Sequence, residues 1–161
     1  MGNVRRIFVE KKPEFQQEAK KLDQEIKDML GLTLSSRMVH LYQVEGLSEE
    51  EMAQLTPLVF SDPSLDVVHE KPFSFLAQPH FILELLPGQF DQRAEAVKDC
   101  AELILNRRHI SVGYKTVYVF DGVDSKTLDR LCSYLLNPVE KRRGALDDSF
   151  EPSVAWTQEE T

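Results

Sequence analysis

The chain has 161 residues, enough for one ordinary domain or two small ones sharing a core, and 42% apolar with 29% charged residues describes a soluble globular composition. A formal charge of −8 argues against a nucleic-acid binder, which needs a basic face to displace counterions from phosphate. No apolar run approaches the ~20 residues that cross a bilayer, and the first residues pass into a strand pattern without a secretory signal, so a cytoplasmic protein is expected. The short basic clusters Arg5-Arg6, Lys20-Lys21, Arg107-Arg108 and Lys141-Arg142-Arg143 are scattered and read as solvated surface. Cys100 and Cys132 fall inside helical patterns and make neither a metal spacing nor a disulfide framework, so both are expected as buried, reduced thiols.

In chain order, residues 4–10 read as a strand by β-branched and aromatic content. A helix is expected from Glu14 to Leu30, with Phe15, Ala19, Leu22, Ile26, Met29 and Leu30 on one stripe and Gly31 as its stop. Met38–Glu45 is a second strand. Ser48, with Glu51 three residues on, forms a capping box, and Leu47 with Met52 is placed as its hydrophobic staple. The helix that follows should run to Phe60, kinked or restarted at Pro57. Residues 65–68 are a short third strand, and 69–78 a connection. His80–Leu86 is apolar on both faces and should lie centrally in a sheet. The turn Pro87-Gly88 leads to a helix reaching about Asn106, then a strand over Val112–Phe120. Asp124 caps a fourth helix, with Val123 and Leu128 as staple, and Asn137-Pro138 ends it. A final strand is expected near Val139. Residues 144–161 lose the pattern and read as an acidic linker or disordered tail.

The order of elements repeats. Ile7-Phe8-Val9-Glu10-Lys11-Lys12-Pro13 and Ile82-Leu83-Glu84-Leu85-Leu86-Pro87 both run apolar strand, Glu, two residues, Pro, followed by Phe-x-Gln-x-Ala in 15–19 and by Phe90-Asp91-Gln92-Arg93-Ala94. Glu10 and Glu84 are 74 positions apart, Ala19 and Ala94 are 75 apart, and Gly46 and Gly122 are 76 apart. Matches that hold their order across small gaps describe two copies of a unit of roughly 70 residues. The fold class expected is α+β, two tandem β-α-β-α-β units about a pseudo-two-fold axis. The domain spans residues 1–143, repeat one about 4–71 and repeat two about 79–143. Each unit alone has too little core, so the two should share a buried interface.

Catalytic groupings do not emerge. His40, His69, His80 and His109 make no metal spacing, and the chain carries no Gly-x-Ser-x-Gly elbow, P-loop or Gly-x-Gly-x-x-Gly. His40 and Tyr42 share a strand face, where a histidine is more often structural. Glu10 and Glu84 end equivalent strands and could approach one another, although helix capping is the simpler expectation. The turn before the third helix is different. Gln89, Asp91, Gln92 and Arg93 crowd polar groups into it; Asp91 suits a helix N-terminus, whereas Gln89 and Arg93 are not needed there and suggest contact with a partner.

Pro87-Gly88-Gln89-Phe90-Asp91-Gln92-Arg93-Ala94 after an apolar strand, with 7–12 near the start, Tyr42-Gln43-Val44-Glu45-Gly46-Leu47-Ser48 and Asn137-Pro138-Val139-Glu140, resembles the N-terminal region of large single-chain phosphoribosylformylglycinamidine synthases over residues 4–143. That family is an ATP-, magnesium- and glutamine-dependent amide ligase of purine biosynthesis. Its N-terminal region is similar to a dimer of the small PurS subunit, and it bridges the synthetase and glutaminase parts and helps form the ammonia path. The resemblance implies an assembly domain with those parts as partners, with no catalytic, cofactor or metal residues of its own; ATP and magnesium belong to the whole enzyme. The whole enzyme is many times longer than 161 residues. The alternative function is a tandem β-α-β module that binds a small effector between its copies.

Overall fold

The computed structural model describes residues 4–69, 77–86, 88–137 and 141–144. The fold is α+β: among the described residues, a six-stranded antiparallel sheet and four α-helices. The elements are β1 (Val4–Lys11), α1 (Gln17–Leu30), β2 (Ser36–Glu45), α2 (Glu49–Leu55), β3 (Asp66–His69), β4 (His80–Leu85), α3 (Gln92–Leu105), β5 (Ser111–Phe120), α4 (Ser125–Leu135) and β6 (Lys141–Gly144). Strand order across the sheet is β3-β1-β2-β5-β4-β6. Residues 4–69 and 77–144 thus supply three strands each to one continuous sheet, joined where β2 and β5 pair along their full length from Ser36↔Phe120 to Glu45↔Ser111.

Register fixes the faces. Ile7 lies opposite Tyr42, and Tyr42 opposite Tyr114, so all three side chains share one face. Ile7, Val9, Tyr42, Val44 and Val112 pack there against Leu55 and Phe60 from the second helical segment and against Ala94, Val97 and Ala101 of α3. Farther along the same face, Phe81, Leu83 and Phe120 pack against Ile26 of α1 and Leu128, Leu131 and Cys132 of α4. All four helices therefore cover one side of the sheet. The other side carries a buried strip across four strands, Phe8, Val39, Leu41, Ile82, Val117 and Val119, a cluster with no helical member among the described residues.

The caps follow local chemistry. The Ser48 hydroxyl accepts from the Glu51 N–H at 3.1 Å while the Glu51 carboxylate accepts from the Ser48 N–H at 2.9 Å, so two helix-start donors are satisfied reciprocally. Asp124 accepts from Thr127 N–H at 2.7 Å. Gly31 ends α1 with φ 70, its N–H donating to Lys27 O at 3.0 Å. Gly46 is also required by space: a Cβ there would lie 2.8 Å from the His109 carbonyl oxygen.

Several expectations are corrected. Helix one does not begin at Glu14. Pro13–Phe15 form a 3₁₀ turn, Gln16 leaves helical geometry, and its amide donates to Lys11 O at 2.9 Å, so α1 starts at Gln17. Phe15 and Met29, expected on the buried stripe, are 37% and 66% exposed. The helical run reaches Phe60 and restarts at Pro57, one of the two expected alternatives, but the second segment, Thr56–Phe60, is a π-helical turn rather than an α-helix. Pro57 has no N–H to continue the α-helical ladder, and the wider turn closes with Ser61 N–H donating to Thr56 O at 3.0 Å. β4 is interior but lies one strand from the edge, between β5 and β6. Cys132 is buried, but Cys100 is exposed on α3. Gly144, expected in the tail, pairs with Ile82 as the last residue of β6. That strand begins at Lys141; Val139 and residues 145–161 lie outside the described residues, as do Pro87, Pro138 and residues 70–76.

Candidate partner-contact site

The turn into α3 is built from its backbone outwards. Gly88 has φ 87, a left-handed conformation that favours glycine, and Gln89 N–H donates to Leu86 O at 3.1 Å. Asp91 then caps α3, accepting from Ala94 N–H at 3.0 Å. The carboxyl is buried, and that burial pushes its pKa above the ordinary aspartate value against the pull of the Ala94 and Arg93 N–H groups. Of the four residues singled out in the sequence, Asp91 is thus a helix cap, while Gln89 and Gln92 are exposed beside it.

Arg93 starts on the surface and reaches inward. Its guanidinium donates to the Tyr42 hydroxyl at 3.2 Å and lies over the Tyr114 ring, 4.9 Å from the centroid. Tyr42 and Tyr114 have ring centroids 5.3 Å apart, and Tyr42 meets Phe60 edge-on at 5.4 Å. Next to them His40 stacks on Tyr114 and its Nδ1 bonds the Tyr114 hydroxyl. Thr116 Oγ1 donates to that same hydroxyl at 3.1 Å. Burial, followed by the Arg93 and Lys11 charges, lowers the His40 pKa to about 4, and burial raises that of Tyr114. The imidazole is therefore neutral at pH 7, and the phenol keeps its proton to donate to Nδ1.

This cluster sits on the helix-covered face where the two three-strand halves meet, since His40 and Thr116 are register partners. His40 and Tyr42 are brought together with Arg93 as neighbours. Tyr114 and Thr116 are the members that the sequence pattern missed. They alternate with Val117 and Lys115 on β5, and nothing local to those residues marks Tyr114 as the ring beneath Arg93.

Glu10 and Glu84 do not cap helices and are not joined to each other. Each is held on the sheet face away from the described helices by basic side chains from neighbouring strands. Glu10 accepts from Arg37 at 2.7 and 2.9 Å and contacts His69 Nε2 at 2.9 Å. Burial works to raise its carboxyl, but Arg37 and His69 outweigh that and hold it below the ordinary value. Glu84 lies 3.0 Å from Lys115 Nζ and accepts from Arg142 at 2.5 Å. Buried carboxylates paired this way are costly to leave alone.

A groove of about 610 Å³ lies between β1, β3 and the α2 region, lined by Arg5, Arg6, Glu49, Met52, Thr56 and His69 among others. It belongs to the first half of the chain and does not reach the Arg93 cluster. Among the described residues no three His, Cys, Asp or Glu side chains group as a metal site, and no helix is long and apolar enough to cross a membrane. No protein family, curated protein or solved structure matches the chain.

Proposed function

We propose that this chain is a PurS-like assembly domain, two β-α-β-α-β copies in tandem, that bridges the synthetase and glutaminase parts of a phosphoribosylformylglycinamidine synthase and helps ammonia pass between them. The observation that carries the reading is the strand order β3-β1-β2-β5-β4-β6. Read from either edge, it meets the third, first and second strand of one half, then the second, first and third of the other. Two copies joined edge to edge through their second strands give that order. In keeping with it, α1 and α3 each have 14 residues and start 75 positions apart, the spacing of Ala19 and Ala94 in the repeat.

The role is one of surface and positioning. Gln89, Gln92 and the outer part of Arg93 offer polar contacts at the start of α3, and Asp91 fixes the helix that presents them. The partners are the synthetase and glutaminase domains, in the same polypeptide or as separate chains in the cytoplasm. ATP and magnesium act elsewhere in the assembly. A reconstitution tests this. The chain is added to a synthetase of the family lacking its N-terminal region, and turnover is compared with glutamine and with free ammonia. A rise in glutamine-dependent turnover is expected; no response of either activity, with both pieces folded, overturns the bridging role.

One observation favours the second reading, a small-effector module: His40, Tyr42, Tyr114, Thr116 and Arg93 gather polar groups where the halves meet. Direct titration with ATP, ADP and glutamine, followed by Tm, checks it; saturable stabilisation by one of them, abolished in Arg93→Ala, would move this reading ahead.

A further inference from the structure

We infer that the outward face of α3 is a docking surface for a protein partner that presents an apolar groove edged by carboxylates. Under the reading above, on which this inference rests, that partner is the synthetase–glutaminase remainder of the enzyme.

Helix α3 is apolar on two sides. Ala94, Val97 and Ala101 face the sheet and are buried. Ala96, Cys100, Leu103 and Ile104 lie at the i, i+4, i+7, i+8 spacing that makes a second stripe, and all four are exposed. Leu103 is 82% and Ile104 43% exposed, and Leu58, on the π-helical turn that packs beside α3, is 63% exposed. Large side chains presented to water in one place mark interaction sites more often than they mark accident.

The fold does not require this stripe. Helix α1 is equally long, and the positions 75 residues earlier are Lys21, Glu25, Asp28 and Met29. Those solvent-facing positions carry three charges; on α3 the same positions carry none. Gln92 and Arg93 stand at the N-terminal end of this helix, so the polar contacts expected there and the apolar stripe adjoin on one element.

The charges at the far end say what kind of surface fits. From Leu103 to Ile110 the chain has no carboxylate, in a protein of net charge −8. Arg108 and His109 are exposed there, and Arg107 is anchored by Glu51 and by Gly46 O at 2.6 Å. His109 has φ 72, a strained backbone for a residue with a side chain, which turns the chain sharply after the helix. A basic end on an apolar stripe complements an acidic rim. A second copy crossing in parallel fits poorly, because it sets each Arg108 against its counterpart.

The test is binding of the full chain to a synthetase of the family lacking its N-terminal region, with Leu103→Glu, Leu103→Lys and Met29→Glu as variants. Expected are a loss of about tenfold or more for Leu103→Glu, a smaller loss for Leu103→Lys, no change for the α1 control Met29→Glu, and weaker wild-type binding in raised salt. Binding of Leu103→Glu at the wild-type Kd overturns the docking surface and leaves the assembly reading standing. Absence of wild-type binding overturns both. A wild-type chain that is dimeric by light scattering and monomeric as Leu103→Glu makes a second copy the occupant and also overturns the inference. Leu103 is exposed, so circular dichroism of the variants should match the wild type.

Discussion

Helices α1 and α3 cover the same side of one sheet, have the same length, and differ in almost everything that faces away from it. Their inward positions carry equivalent small or branched residues: Ala19 and Ile26 on one, Ala94 and Ala101 on the other, all buried. Their starts differ. α3 has a carboxylate cap in Asp91, whereas α1 has no side-chain cap and is led in by a 3₁₀ turn. Their outer faces differ most: Lys21, Glu25 and Asp28 on α1 stand where Ala96, Cys100 and Leu103 stand on α3. The sheet constrains only the side of a helix that it touches. What the other side carries is free to follow a different demand, and the contrast isolates that demand from the demands of folding.

The largest break in the comparison should come from the inward side. Ile26→Ala removes a fully buried branched side chain between α1 and α4 and should cost about 2–5 kcal/mol in denaturant unfolding. Ala101→Ile at the matching place on α3 overpacks and should cost less, about 1–3 kcal/mol.

The sheet face away from the described helices sharpens the contrast of halves. Glu10→Gln breaks a buried pair and leaves Arg37, one third exposed, without its full charge partner, so about 2–3 kcal/mol is expected by denaturation at pH 7. Because the folded state holds Glu10 below its unfolded value, it resists protonation. The stability from this pair is present above the ordinary carboxylate range and is lost as pH falls through the lowered folded value. The acid limb of wild-type stability should therefore be shallower in Glu10→Gln.

His40 gives a second pH signature at higher pH. Its pKa falls from 6.5 unfolded to about 4 folded, so the unfolded state takes up the proton first. Stability should fall as pH drops from about 6.5 towards 4, by about 3 kcal/mol in all. His40→Gln should flatten the unfolding free energy across that window; an unchanged slope would show that the ring is not held neutral by its surroundings.

The smallest effects belong to the helix starts. Asp91→Ala should cost about 1 kcal/mol through the lost cap. Gln16→Ala, at the start of α1, removes no cap and loses only the part-buried bond to Lys11 O, so it should cost about 0.5 kcal/mol. Equal losses at the two positions would mean that the two helix starts are alike despite their geometry.

Features set within a few residues were legible in the sequence. The Ser48–Glu51 box, the Asp124 cap and the Gly31 stop depend on neighbours no more than four positions away, so their pattern is their structure. The start of α1 was misplaced because the Gln16 amide reaches Lys11 O, a competition that helical periodicity does not register. Cys100 was expected inside because α3 is apolar on two sides, and spacing alone does not say which side meets the sheet. At the candidate site, Gln89, Asp91, Gln92 and Arg93 were visible as an unusual turn. The ring under Arg93 was not, because Tyr114 comes near it only through the pairing of β2 with β5. The cations on Glu10 and Glu84 come from neighbouring strands and are equally invisible to local pattern.

The β2–β5 seam carries a kinetic consequence. Every other strand pairing joins strands of the same half, whereas this one joins residues as far apart as Ser36 and Phe120. It spans the largest sequence separation of the strand pairings, so it should form last, once each half has its own three strands. Until then each half shows an open ten-residue edge, and either edge can accept the matching strand of another molecule. At high concentration, refolding should divide between the monomer and a chain-exchanged dimer in which one molecule's β2 has found another's β5.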